Sequence, residues 1–350
     1  MTKASDSLLG LALPNGWTVT SAIGKGVGGS GGYFSSTYVV EKGGAKGFLK
    51  AFDFSDAFKS GADTFTILKF MISSYENETE ILRLCNDNKM ANIVVSLDMG
   101  QVDISGYPGS EGRVYYIIFE MADGDIRSQI KAKREFEVEE CLKIAYDAAL
   151  GLNQLHRKMV AHQDLKPSNV LLYRKEDRFK LGDLGCSSKR DGAAPRDMLR
   201  IAGDTTYAPP ELSYGYIDPD FHKRRIGTDF YMFGNLLAFL FSGINITAAI
   251  YSKIPAAYHY KSWGGAYHDV VLHLRHALSR VIDEIKPDID SAVRDRIGAM
   301  VLELCEPDLN LRGHPRSIGK LNQYSLERYV SELNRLKLEY AVQKRFRRKV

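Results

Sequence analysis

Cysteine is scarce in this chain: 350 residues contain four, Cys85, Cys141, Cys186 and Cys305, and no two form a Cys-x-x-Cys pair. That argues against a disulfide framework or a cysteine zinc cluster and for a reducing compartment. The apolar run in "MTKASDSLLGLALPNGW" is too short for a secretory signal, so a cytoplasmic location is expected. Internal repeats and low-complexity stretches are also missing. Charge of one sign is nearly balanced: the net +4 comes from residues 321–350, whose eight Lys/Arg and three Glu leave the remainder at −1. The body therefore lacks the electrostatic footprint of a nucleic-acid binder. Only Phe230–Ser252 lacks charge over a length that could span a bilayer, which needs about 20 apolar residues. Gly234, Asn235, Gly243 and Asn245 interrupt it, so we read it as a buried core helix and expect no transmembrane segment.

What is present divides in two. Residues 17–55 read as strands: "GWTVTSAI" alternates, a glycine cluster follows, then "YFSSTYVVEK", a Gly-Gly turn and "AKGFLKAFDF". Phe65, Leu68, Ile72, Tyr75, Thr79 and Leu82 recur at helical spacing and predict one amphipathic helix over about 62–86. "NIVVSLDMG" and "GRVYYIIFEMA" read as two more strands. Beyond Ala122 the pattern turns helical, with "VEECLKIAYDAALGLNQLH" as a strong amphipathic helix and a short hairpin, "NVLLY" and "FKLGDLG".

The chemistry-bearing residues lie at the joints. In "IGKGVGGSGGYF", glycines either make an ordinary glycine-rich hairpin turn or let backbone N–H groups approach phosphate oxygens without Cβ interference. Two G-x-G-x-x-G registers fit, and Gly26/Gly28/Gly31 is preferred over Gly24/Gly26/Gly29 because it places Tyr33 just after the last glycine. No Gly-Lys-Ser/Thr opens a helix here, so this is not a Walker loop. Lys50, inside the apolar strand "FLKAF", is costly to bury without a counter-charge; it reads either as an outward-facing strand lysine, the commoner fate, or as one met by Glu78 on the long helix. "AHQDLKPSNVLL" carries Asp164, Lys166 and Asn169; Asp183 closes the hairpin before Leu184 and Gly185. A carboxylate to receive a hydroxyl proton, a lysine for developing negative charge, and Asn plus Asp for Mg²⁺ together make a phosphoryl-transfer site.

These markers, in this order, resemble the eukaryotic-type serine/threonine protein kinases over residues 18 to about 318. The resemblance implies an α+β, bilobal fold: a small lobe of antiparallel sheet with one long helix, and a larger, mainly α-helical lobe. It divides the chain into an N-terminal extension (1–17), an ATP-binding lobe (18–122), a catalytic lobe (123–318) and a helical, basic C-terminal tail (319–350). It carries the phosphate loop onto Gly26, Gly28 and Gly31, the ATP lysine onto Lys50 and its partner onto Glu78. The adenine hinge falls on Glu120 and Ala122, behind Phe119. The base role falls on Asp164, a phosphate contact on Lys166 and metal binding on Asn169 and Asp183. "TTYAPPEL" resembles the end of the activation segment, implying a pair between Glu211 and Arg312, and Asp229 matches the buried aspartate that opens the central helix. ATP and Mg²⁺ are the implied cofactors, and protein hydroxyls, including the chain's own, the implied acceptors. Alternatives are a nucleotide-binding scaffold and a small-molecule phosphotransferase; no Lys50, Asn169 or Asp183 equivalent is lost, which favours an enzyme.

The departures are as informative. Phe48 stands where the family has the alanine that packs on adenine. The stretch from Lys50 to Glu78 is long, read as extra packing, with a docking surface as the alternative. Asp204 replaces a threonine that touches the catalytic loop in serine/threonine kinases. The tail ends with five basic residues in six, read as a solvated end, with an acidic partner, nucleic acid or membrane surface as the alternative. Gln163 replaces an arginine that meets an activation-segment phosphate in many relatives. A neutral amide cannot make that charge-assisted pair, so activity is expected without phosphorylation at Ser187, Ser188, Thr205 or Thr206.

Overall fold

The structure, a computed structural model, describes residues 3–24, 35–52, 54, 57, 63–107, 109–133, 136–190, 192 and 194–347. Five strands form one antiparallel sheet: β1 (Thr18–Ile23), β2 (Ser35–Lys42), β3 (Ala45–Phe52), β4 (Ser96–Asp103) and β5 (Arg113–Glu120), in the order β1-β2-β3-β5-β4. The β2–β3 turn puts Gly43 and Gly44 at φ 56° and 82°, a left-handed pair that closes tight hairpins. The two-residue period of β3 buries Gly47, Leu49 and Ala51 on one face and turns Phe48, Lys50 and Phe52 to the other. The first face is sealed by the N-terminal segment. Ala4, Leu8, Leu13 and Trp17 pack on it, and the Tyr38 hydroxyl donates to the Ser5 carbonyl at 2.6 Å.

Helix α1 (Thr64–Asp87) crosses the second face. Asp63 caps it, accepting from the Thr66 N–H at 3.2 Å, and Met71, Glu78, Ile81, Leu82 and Cys85 form its buried stripe. Phe54 and Ala57 pack with Met71 in a small cluster of their own. Part of the extra length between Lys50 and Glu78 is thus used in packing.

The rest of the described chain is mostly helical: α2 (Ile126–Lys133), α3 (Val138–His156), α4 (Pro210–Ser213), α5 (Gly227–Ser242), α6 (Ile246–Lys253), α7 (Tyr267–Ile285), α8 (Arg294–Leu304) and α9 (Glu327–Arg347). Two short ladders punctuate it, β6 (Val160–Ala161) with β9 (Ser188–Lys189), and β7 (Val170–Tyr173) with β8 (Arg178–Leu181). The charge-free run is α5 and α6, which turn through 91° around Gly243 at φ 73°. Among the described residues no single helix is long and apolar enough to cross a membrane, although this bent pair passes on length and composition. Nearly all of α5 is buried in the main core, and Asn235 is satisfied by Thr247 Oγ1 at 3.1 Å and the Ile246 N–H at 2.8 Å. Helix α9 is docked as well: Leu326, Tyr329, Leu333 and Leu336 join the core, and Lys344 reaches Glu137 and Glu139 at 2.6 and 3.0 Å. The last two basic residues, Arg348 and Lys349, lie outside the described residues.

Candidate active site

The loop after α3 is built on Asp229, fully buried at the start of α5. Its two oxygens accept from the His162 and Gln163 backbone N–H groups, both at 2.7 Å, and from His156 Nε2 at 2.8 Å. That grip holds Gln163 at φ 62°, uncommon for a residue with a Cβ. His162 donates from Nε2 to the Gly182 carbonyl at 3.1 Å and accepts the Asp164 N–H on Nδ1 at 3.2 Å, which fixes one neutral tautomer. Asp164 projects from this frame. Its carboxylate accepts from Lys166 Nζ at 2.9 Å, Asn169 Nδ2 at 3.1 Å and the Asp204 N–H at 2.8 Å. Burial pushes its carboxyl above the ordinary carboxylate value, and Lys166 opposes this. Gly203 allows the approach of Asp204: a Cβ there would lie 2.4 Å from the Gln163 carbonyl and 2.6 Å from Asp164 Oδ1.

Opposite stands a second charged cluster. Lys50 Nζ lies 2.9 Å from Glu78 Oε1, 3.1 Å from its Oε2 and 3.1 Å from Asp183 Oδ1. Burial alone would lower Lys50, but Asp183 and Glu78 more than offset it and the ammonium ends above its ordinary value. Burial raises Glu78, while Asp183, less enclosed at the cleft edge, is held below the ordinary value by Lys50 against the cost of burial. Asp183 sits two residues past β8 rather than closing that strand, at φ 56°. Gly185 follows it, and a Cβ there would come within 3.1 Å of Glu78 Oε2. Asn77 Nδ2 donates to the Ser187 carbonyl at 3.0 Å and Lys189 pairs with Glu80, so α1 is docked against the segment after Asp183.

The family comparison agrees with the fold. The family described as Protein kinase domain matches residues 57–264, more than half of the chain. The chain belongs to that family. It is 34% identical over 99 residues to an Aurora kinase of Debaryomyces hansenii, covering 28% of this chain and 24% of that protein. It is 28% identical over 176 residues to a MAP kinase-interacting serine/threonine-protein kinase 1 of Xenopus laevis (47% and 39%). With a dual serine/threonine and tyrosine protein kinase of Gallus gallus it shares 32% over 161 residues (45% and 15%). The chain thus spans less than half the length of each of these curated relatives.

Within the kinase fold, the nucleotide side is partly visible. Gly26, Gly28, Gly31 and Tyr33 lie outside the described residues. On β5, Phe119 faces Phe48 across the β3 ladder with ring centroids 6.4 Å apart. Phe48 therefore extends the apolar wall at the place expected for the adenine roof. The Glu120 carboxylate is turned to Lys180 Nζ, at 2.9 and 3.0 Å, and to the Val95 N–H at 3.0 Å. The Glu120 backbone is engaged as well: its N–H donates to the Val95 carbonyl at 3.1 Å and its carbonyl accepts from the Tyr173 hydroxyl at 3.5 Å. For magnesium, the fit is good: Asn169 Oδ1 is buried without a hydrogen-bond partner, while its amide nitrogen is engaged by Asp164. An unsatisfied amide oxygen and the Asp183 carboxylate, the latter one residue past the Gly182 N–H that donates to the Asn169 carbonyl at 2.9 Å, are the hard-oxygen donors Mg²⁺ takes when phosphates supply the remaining ligands.

Two further features complete the site. Arg312 and Glu211 form the expected pair, bidentate at 2.7 and 2.8 Å and fully enclosed. The partners of Gln163 are not predictable from its neighbours in sequence. Its amide nitrogen donates to the Cys186 carbonyl at 3.2 Å and to Ser188 Oγ, and its Oε1 accepts from Arg225 Nη1 at 2.5 Å. Arg225 also pairs with Asp197 Oδ1 at 2.6 Å. Burial pulls the Arg225 guanidinium down to about 10, with Asp197 opposing. The only signal available in advance was the basic run "HKRR" before α5, which lacks an apolar period of its own.

Proposed function

We propose that the chain is an ATP- and Mg²⁺-dependent protein kinase acting on serine and threonine hydroxyls. The observation that carries this reading is the assembly of Lys50–Glu78–Asp183 and of Asp164–Lys166–Asn169, with the buried Asn169 Oδ1 left unsatisfied. Asp164 takes the proton of the acceptor hydroxyl as that oxygen bonds to the γ-phosphorus and the bond to the β-γ bridging oxygen breaks. Lys50, oriented by Glu78, contacts the phosphates, and Lys166 offsets negative charge beside the base. Asn169 Oδ1 and the Asp183 carboxylate would hold Mg²⁺, whose charge neutralises the phosphates when it is bound. Preference for Ser/Thr is supported by Lys166 and by the similarity to a MAP kinase-interacting serine/threonine-protein kinase. The buried, free cysteines support a cytoplasmic setting.

We further propose that the enzyme does not need a phosphorylated activation segment. Ser187 and Ser188 are 1% and 0% exposed, which closes both to a modifying enzyme without local opening. The amide of Gln163 is engaged within the chain at both ends. The test is incubation of the full chain with radiolabelled ATP, Mg²⁺ and generic protein substrates, with autophosphorylation followed by mass. Transfer to serine or threonine that survives prior phosphatase treatment is expected. No transfer under any condition would overturn the catalytic reading in favour of a scaffold, and transfer lost to phosphatase and regained on phosphorylation would overturn independence.

A further inference from the structure

In this chain a carboxylate and an arginine join the activation segment to the catalytic loop where Gln163 cannot do so by charge. Just before α5 the backbone makes a π-helical turn, His222–Ile226, which carries three consecutive basic residues, Lys223, Arg224 and Arg225. Such a turn is rare and inserts a residue into the helical ladder. Of the three, Arg225 points inward and is 3% exposed. Its guanidinium bridges two elements that are far apart in sequence. Nη1 donates to Gln163 Oε1 at 2.5 Å on the catalytic loop. Nη2 contacts Asp197 Oδ1 at 2.6 Å and the Asp197 carbonyl at 3.0 Å on the activation segment. Arg224 Nη2 donates to the same carbonyl at 2.6 Å, and Ser188 Oγ donates to Asp197 Oδ1 at 2.6 Å. Ser188 in turn accepts from Gln163, which closes a ring of four side chains: Gln163, Ser188, Asp197 and Arg225.

We propose that Arg225 and Asp197 are positioning residues that lock the activation segment onto the catalytic loop through Gln163, a clamp held by a permanent carboxylate. This inference deepens the proposed phosphorylation independence and rests on the kinase reading of the site. The catalytic loop between His162 and Asp164 is gripped by Asp229 from below and by the clamp from the side. Two residues separate Asp229 from the π-helical turn, so both grips issue from the same stretch of chain. Asp204, whose N–H donates to Asp164, lies seven residues past Asp197 on the same segment, and Arg196 Nη1 holds the Ala202 carbonyl between them at 3.0 Å. Loosening Asp197 therefore reaches the base through a short, continuous path.

The test uses full-length, phosphatase-treated protein checked by mass. Asp197→Asn keeps the side chain's shape and removes its charge at a position about a quarter exposed (28%), so it folds. We expect its kcat to fall about tenfold, a coupling typical of one network, with KM for ATP within about twofold and thermal unfolding close to wild type. Amides of residues 186–190 should exchange faster. Asp197→Glu should recover most of the rate. Arg225→Leu should behave like Asp197→Asn, and the double variant should be no worse than the lower single. Wild-type kcat and exchange in folded Asp197→Asn, or losses that multiply in the double variant, would overturn the clamp. Should the phosphatase-treated wild type itself be silent, independence falls, and the clamp is judged on the phosphorylated enzyme: a defect in Asp197→Asn there supports it, and none refutes it.

Discussion

Two buried ionic centres of this chain each set a basic side chain against carboxylates and are finished in opposite ways. At Arg312 every guanidinium nitrogen has a partner: Nη1 and Nη2 meet the two oxygens of Glu211, Nη1 also meets the Gly227 carbonyl at 3.0 Å, and Nε the Glu306 carbonyl at 2.8 Å. Tyr231 lies under the guanidinium at 5.4 Å. Burial pulls Arg312 down, but Glu211 outweighs it and the group ends above its ordinary value. In the cleft, one lysine, Lys50, is shared by two carboxylates that burial treats unequally, and Asn169 Oδ1 is left unpaired. A closed network can only hold the fold, whereas an open one has capacity for a ligand. The comparison separates structural charge from working charge by satisfaction rather than by depth.

The sharpest way to break that contrast is to remove one partner from each centre. Arg312→Leu strands Glu211 without a counter-charge and should cost about 3–5 kcal/mol, a large part of a domain's stability. Urea unfolding reads this directly. A loss under about 1 kcal/mol would remove the distinction drawn here. Asp164→Asn is the converse change. It should lower phosphate transfer by about 10²- to 10⁴-fold, the range of a general base, without lowering the unfolding midpoint. The sign follows from the raised carboxyl of Asp164. Its contribution to stability is present below the unfolded-state value and is lost as pH rises through the folded value, so at neutral pH the ionised form is a local cost. Nucleotide binding by the variant, measured by fluorescence with a labelled ATP analogue, should stay close to wild type.

The third effect is steric and smaller. Gly203→Ala drives a methyl group to 2.4 Å from the Gln163 carbonyl, and backbone cannot move aside as a flexible side chain can. Accommodation should cost about 1–3 kcal/mol and shift the Asp204 N–H away from Asp164. Activity should therefore fall more than stability, the signature of the open centre. Equal losses in kcat and in unfolding free energy would assign Gly203 to the closed class instead.

Local spacing explains why one centre could be read from the sequence and the other parts could not. Asp164, Lys166 and Asn169 are separated by two and three residues, so one loop fixes all three. Helices α1 and α3 were legible from apolar period, α3 to the residue. The pair Lys50–Glu78 spans 28 residues and was legible only through the order of the kinase motifs, because a lysine inside an apolar strand can as well face outward. Arg225 is 62 residues from Gln163, and its direction depends on a π-helical turn that no apolar period announces. The N-terminal segment was equally opaque: "ASDSLLGLALPNGW" has neither strand nor helix periodicity, yet Ala4, Leu8, Leu13 and Trp17 are core residues. Burial without regular structure leaves no pattern to recognise.

The smallest effect asks whether the open centre tunes its base as its geometry implies. Burial raises the Asp164 carboxyl, the charge of Asp183 adds to this, and Lys166 and the Asp204 N–H work against both. A base must be ionised to act, so kcat/KM should fall as pH drops through a value above the ordinary 3.8 of an aspartate. Lys166→Met removes the largest opposing influence, and the acid limb of the profile should move to higher pH. The direction is the test: with the rate at the optimum also reduced, only the position of the limb separates loss of a phosphate contact from loss of tuning. A limb that stays in place would leave Lys166 as a phosphate contact alone, and one that moves to lower pH would mean that Asp164 is not the group being titrated.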